Sequence, residues 1–113
     1  MHYIVDDEGN MVYDFLGENE GKYLYDKIQE YIDKLKLEGA EHIIILDHLG
    51  IKGESTDKFN SSNLLSHISG IDAMIDGHSH KVYNISGEDK DGKLIPMVQT
   101  GTKLSNIGIL KIT

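Results

Sequence analysis

The sequence contains no cysteine. Disulfide staples and thiolate metal sites are therefore both excluded, although the absence identifies no compartment. An excess of positive charge is missing as well: 11 Lys and Arg stand against 19 Asp and Glu, a formal net charge of −8. That balance argues against a general nucleic-acid-binding surface, which needs a basic patch, and disfavours anionic membranes. No apolar run is long enough to span a bilayer, and Met1-His2-Tyr3 opens no signal peptide. Aromatic residues are scarce at 7%, and hydrophobic residues reach only 39%, below the usual globular share. Internal repeats and low-complexity tracts are lacking too. The 113 residues are therefore expected to form one small unit with a modest core, thinly stable without a partner or a metal.

What is present reads as alternating strands and helices. Tyr3-Ile4-Val5 and Met11-Val12-Tyr13 flank Asp7-Glu8-Gly9-Asn10, a hairpin turn by composition. Gly17 to Gly21 is a polar loop. Between Tyr23 and Leu37 the apolar residues Leu24, Ile28, Tyr31, Ile32 and Leu35 make one helical stripe, and Gly39 is the stop signal. Glu41 to Leu46 has the β-branched run of a buried parallel strand. Gly50 to Ser61 is a polar loop, Asn63 to Ser69 a short second helix closed by Gly70, and Ala73 to Ile75 a second buried strand. Gly87 to Gly92 is a turn, and Leu94–Gln99 and Ile107–Ile112 are closing strands. Strand, helix, strand in this order is a βαβ unit, whose ligands gather at the carboxyl ends of the strands.

Six histidines occur. Terminal His2 and His42, which precedes a strand, read as solvated; His67, inside the second helix, reads as surface or supporting. His48 follows Ile43-Ile44-Ile45-Leu46-Asp47 and precedes Leu49-Gly50, and by itself is as readily structural as a ligand. His78 and His80, in Asp76-Gly77-His78-Ser79-His80, are more telling. They follow a strand, their side chains share one side of an extended segment, and imidazole is the commonest ligand for borderline metals. His48, His78 and His80 at the ends of two strands point to a metal centre. Asp47 and Asp76 flank them as carboxylates that orient imidazole N–H groups or, alternatively, ligate directly. Asp72 reads as a turn or strand-edge residue. Gln99-Thr100-Gly101 offers either donors to an anion or a plain turn.

With these residues assembled, the chain resembles the metallophosphoesterases of the 5′-nucleotidase and 2′,3′-cyclic-nucleotide phosphodiesterase type. The resemblance is carried by Glu38-Gly39-Ala40-Glu41 into Ile43-Ile44-Ile45-Leu46-Asp47-His48-Leu49-Gly50. It continues through Ser69-Gly70-Ile71-Asp72-Ala73-Met74-Ile75-Asp76-Gly77-His78-Ser79-His80, then Val98-Gln99-Thr100-Gly101-Thr102-Lys103 and Ile107-Gly108-Ile109-Leu110. It implies an α/β fold, part of a four-layer α/β/β/α calcineurin-like architecture. It also implies two divalent metal ions (Mn, Zn or Fe) in the complete domain, a nucleotide or other phosphate-ester substrate, and an extracytoplasmic setting. His48 and His78 match ligands of one metal, and His80 matches a ligand of the other.

The family's first half supplies an Asp-x-His motif, a bridging aspartate and an Asn-His-Asp/Glu motif. None has a counterpart here, and the nucleotide-specificity domain that normally follows is absent. Residues 1–113 are accordingly expected to be the C-terminal half of a catalytic domain, inactive alone, with the missing N-terminal half as partner and an open sheet edge that permits self-association. Two other readings stand beside this one. A small acidic interaction domain would keep His48 far from His78 and His80. A His-x-His metal hydrolase of the amidohydrolase type would place that motif near the N-terminus, not past the middle.

Overall fold

The computed structural model describes residues 3–14, 16, 19–51 and 59–113. His2, residues 17–18 of the Gly17–Gly21 loop and residues 52–58 of the polar stretch before the second helix lie outside them. Among the described residues the chain is a mixed α/β unit of two sheets and two α-helices. Strands β1 (Tyr3–Val5) and β2 (Met11–Asp14) pair antiparallel, as the turn composition predicts. Asp6 Oδ1 closes that turn by accepting from the Glu8 and Asn10 amides at 3.0 and 2.8 Å.

Helix α1 (Lys22–Leu37) starts one residue before the expected point and ends where Gly39 stops it. Its apolar stripe is only partly covered. Ile32 is buried and Leu24 and Ile28 half-buried, whereas Tyr31 and Leu35 remain exposed. Helix α2 (Ser61–Leu65) begins and ends earlier than the periodicity suggests. Asn60 is the reason for the early start: its side chain caps the helix by accepting from the Asn63 amide at 2.8 Å.

The second sheet has the order β3-β4-β6-β5, formed by β3 (Ile44–Leu46), β4 (Ala73–Ile75), β6 (Leu94–Thr100) and β5 (Val82–Glu88). β3, α2 and β4 are the expected βαβ unit, with Ile44 opposite Ala73 and Leu46 opposite Ile75 in parallel register. β6 runs parallel to β4, and β5 antiparallel to β6. Leu64, Leu65, Ile68, Ile71, Met74, Ile95 and Met97 form the core against this sheet.

Three sequence expectations change. β3 is an edge strand paired with β4 alone, and it is not fully buried: Leu46 is 80% exposed and Ile44 40%. β5 is new, running through Gly87 and Glu88, and the turn after it contracts around Asp89, whose Oδ1 accepts from the Asp91 and Lys93 amides. The stretch Ile107–Ile112 is not a strand. It has an alternating pattern but pairs with no strand among the described residues, and Ile107 and Ile109 are more than 90% exposed.

Candidate functional site

The parallel pairing of β3 and β4 fixes where the histidines stand. β3 ends at Leu46 and β4 at Ile75, in register, so the segments that leave them lie side by side. The Asp47 amide extends the ladder to the Ile75 carbonyl, and the Asp76 amide extends it to the Val98 carbonyl. His48 and His78 follow directly. Their rings meet edge to face with centroids 5.4 Å apart.

Two glycines make that approach possible. A Cβ on Gly77 would lie 2.7 Å from His48 Nδ1, and a Cβ on Gly50 would lie 2.9 Å from His78 Cδ2. Each imidazole thus occupies the space a side chain would fill on the opposite segment. The glycines of His-Leu-Gly and Gly-His-Ser-His are explained by this interlock, a signal that a motif count alone does not reveal. His78 and His80 both adopt left-handed backbone, φ 79° and 54°. Non-glycine residues rarely do, and such outliers concentrate at functional sites. His80 is exposed, and no ring contact joins it to the His48–His78 pair among the described residues.

Asp76 ties the two segments together. Its Oδ1 accepts from the Leu49, Gly50 and Gly77 amides at 3.1, 3.0 and 2.7 Å. Its Oδ2 accepts from the Tyr83 hydroxyl at 2.8 Å and Gln99 Nε2 at 3.3 Å. The carboxylate is therefore committed to backbone and buried polar groups rather than to orienting an imidazole, which corrects the sequence reading. Ser61, at the start of α2, braces the His48 segment by donating from Oγ to the Gly50 carbonyl at 3.1 Å and Asp47 Oδ1 at 3.3 Å.

Asp47 and Asp76 form an unequal pair. Burial first, then the hydrogen bond and charge of Asp76, push the Asp47 carboxyl up to about 8. Burial also acts to raise Asp76, but bonds from Asp47, Ser61, the Gly50 amide and Tyr83 outweigh it and hold Asp76 below the usual carboxylate range. Tyr83 is raised by its own burial and by Asp76. Asp47 Oδ2 is buried without a hydrogen-bond partner.

As a metal site the donors fit in part. Two imidazoles whose rings meet edge to face can occupy two positions around one ion. No group of three His, Asp or Glu side chains converges on one point among the described residues. The remaining sequence candidates sit elsewhere. His67 stacks on Tyr25 at 4.2 Å and its Nδ1 bonds the Asn63 carbonyl at 2.7 Å. His42 is exposed, 3.7 Å from Asp72, whose Oδ2 accepts from the Ile43 amide at 2.9 Å. Tyr83 and Ser61 are site residues that sequence reasoning missed, and Gln99, read as a donor to an anion or as a plain turn, instead turns its amide inward to the Gly77 carbonyl and the Lys81 amide.

No protein-family model and no solved structure matches the chain. It is similar to a 2′,3′-cyclic-nucleotide 2′-phosphodiesterase/3′-nucleotidase of Salmonella typhimurium, 27% identical over 95 residues. The match covers 74% of this chain and 15% of that protein, so the chain spans a small part of its relative's length. The similarity supports a distant link to a phosphoesterase family.

Proposed function

We propose that this chain is the C-terminal half of a calcineurin-like metallophosphoesterase catalytic domain, whose parent hydrolyses phosphate esters of nucleotides as 3′- or 5′-monoesters or 2′,3′-cyclic diesters. The observation that carries the reading is the interlock of His48 and His78 at the carboxyl ends of two adjacent parallel strands. A lone structural histidine needs no second imidazole against it, no glycine opposite and no buried carboxylate bolting the two segments together. The distant similarity to a phosphodiesterase/nucleotidase points the same way.

In this reading His48, His78 and His80 are metal donors. Two divalent ions, manganese, zinc or iron, supply the complete domain with an activated water and a positive clamp on the phosphoryl oxygens. The chain's own part is to present neutral imidazoles on braced backbone. Three imidazoles without a bridging carboxylate make a weak site, so the isolated chain is expected to be inactive. The bridging aspartate and remaining donors belong to the missing N-terminal half.

The test begins with the intact mass of the protein in its source cells. A species several times 12.7 kDa is expected. That parent should hydrolyse 2′,3′-cyclic and 3′- or 5′-mononucleotides with added Mn²⁺, the activity should vanish in His78→Ala, and the 113-residue chain should show none. A native species of 12.7 kDa without metal-dependent hydrolysis overturns the proposal.

A further inference from the structure

Gln99 sits near the end of the central strand β6 and is 3% exposed. Its side chain points into the His78–His80 segment and contacts both ends of it. Oε1 accepts from the Lys81 amide at 2.9 Å, just after His80. Nε2 donates to the Gly77 carbonyl at 2.9 Å, just before His78, and lies 3.1 Å from Ser79 Oγ in the middle. The same nitrogen reaches Asp76 Oδ2 at 3.3 Å and so joins the carboxylate that holds the Leu49 and Gly50 amides. One buried amide therefore spans a five-residue segment that contains two left-handed histidines.

The chemistry of that span is specific to a carboxamide. Lys81 N–H needs an acceptor, and the Gly77 carbonyl needs a donor. A carboxylate supplies only the first, and an apolar side chain of the same length supplies neither. Left-handed backbone at His78 and His80 persists only where the surroundings over-determine it. The turn within the segment offers little help: the Ser79 amide bonds the Gly77 carbonyl at 3.1 Å, and among the described residues neither histidine amide joins the sheet ladders.

We propose that Gln99 is the positioning residue of the His78–His80 segment, fixing its backbone and hence the direction of both imidazoles. The role of those imidazoles as metal donors rests on the function proposed above; the positioning itself does not. Gln99 touches no reacting group and acts through the segment it spans.

The test is amide hydrogen exchange by NMR on the whole chain, in wild type, Gln99→Met and Gln99→Glu. The Lys81 amide, bonded to Gln99, is compared with the Asp76 amide, bonded to the Val98 carbonyl in the sheet. In Gln99→Met the protection of Lys81 relative to Asp76 should fall about tenfold, the equivalent of one hydrogen bond. Gln99→Glu retains an acceptor and should keep that ratio within about twofold of wild type. A merely space-filling role predicts the reverse order, since methionine suits a buried position better than a charge beside Asp76. Lys81 protection that stays unchanged in Gln99→Met, or falls only in step with Asp76, overturns the proposal. The ratio needs neither metal nor turnover, so an inactive parent protein would remove the phosphoesterase reading and leave this result standing.

Discussion

Replacing Asp76 with asparagine tests whether the carboxylate holds the two histidine segments together. Asp76 is 6% exposed and accepts five hydrogen bonds, three from backbone amides at Oδ1 and two from side chains at Oδ2. Asparagine keeps one oxygen for the three amides. At the other position it presents an NH₂. The Tyr83 hydroxyl can rotate to accept from it, but Gln99 Nε2 cannot, so a donor faces a donor at 3.3 Å. Bonds to a charged acceptor are worth ~1.5–3 kcal/mol, and neutral ones about half that. Weakening three by about half and losing the Gln99 bond amounts to roughly 4–7 kcal/mol if additive, so a loss of at least ~2 kcal/mol is expected once coupling among these neighbours is allowed for.

Relief of the Asp47–Asp76 pair works in the other direction. It is small at pH 6, because Asp47, pushed up to about 8 by burial and by Asp76, is still protonated there. The pair then carries a single negative charge, so asparagine has little repulsion to relieve. Urea unfolding at pH 6, followed by circular dichroism, reads the difference directly. A loss below ~0.5 kcal/mol, the range of ordinary surface substitutions, would refute the idea that this carboxylate braces the site.

Other consequences are open to direct measurement. Gly77→Ala places a methyl 2.7 Å from His48 Nδ1, so the ring must move; the expected result is loss of nuclear Overhauser contacts between the His48 and His78 rings, with ~1–3 kcal/mol of destabilisation in urea. Met97→Ala opens the core at a fully buried position opposite Met74 and should lower stability by ~2–5 kcal/mol. Leu46→Lys, on the open edge and 80% exposed, should leave stability within ~0.5 kcal/mol and reduce concentration-dependent association in sedimentation velocity.

Sequence patterning was most reliable where one local rule governed one element. The hairpin of β1 and β2, the long helix α1 and the pairing of two apolar runs through a βαβ unit all followed from turn residues and periodicity. Errors arose where neighbours decide. Val82-Tyr83-Asn84-Ile85-Ser86-Gly87-Glu88 alternates only weakly and contains a glycine, yet it forms a strand because β6 offers a free edge through Leu94–Thr100. Ile107–Ile112 alternates clearly but meets no such edge. The same limit applies at the site. His48 and His78 were legible as chemistry-bearing residues, but their contact depends on the register of β3 on β4. Gln99 could not be singled out, because its role requires that Gly77 and Lys81 lie beside β6.

The distribution of buried polar residues separates the remaining readings of the chain. Buried polar groups are Asn60, Ser61, Asp76, Asp89 and Gln99. Asp89 closes the β5–β6 turn, and Asn60 caps α2. Ser61, Asp76 and Gln99 instead converge on the segments that carry His48, His78 and His80, and each bonds backbone in one or both. Such groups weaken a small core unless every partner is supplied, and apolar replacements of similar volume are often as stable. A domain that served only to present a surface would gain nothing from concentrating them beneath three exposed imidazoles. It would also have no reason to bring His48 against His78, the separation that the interaction-domain reading requires and the structure does not show. What the network secures is backbone geometry around His48, His78 and His80, which is what the proposed role of these imidazoles requires of the chain.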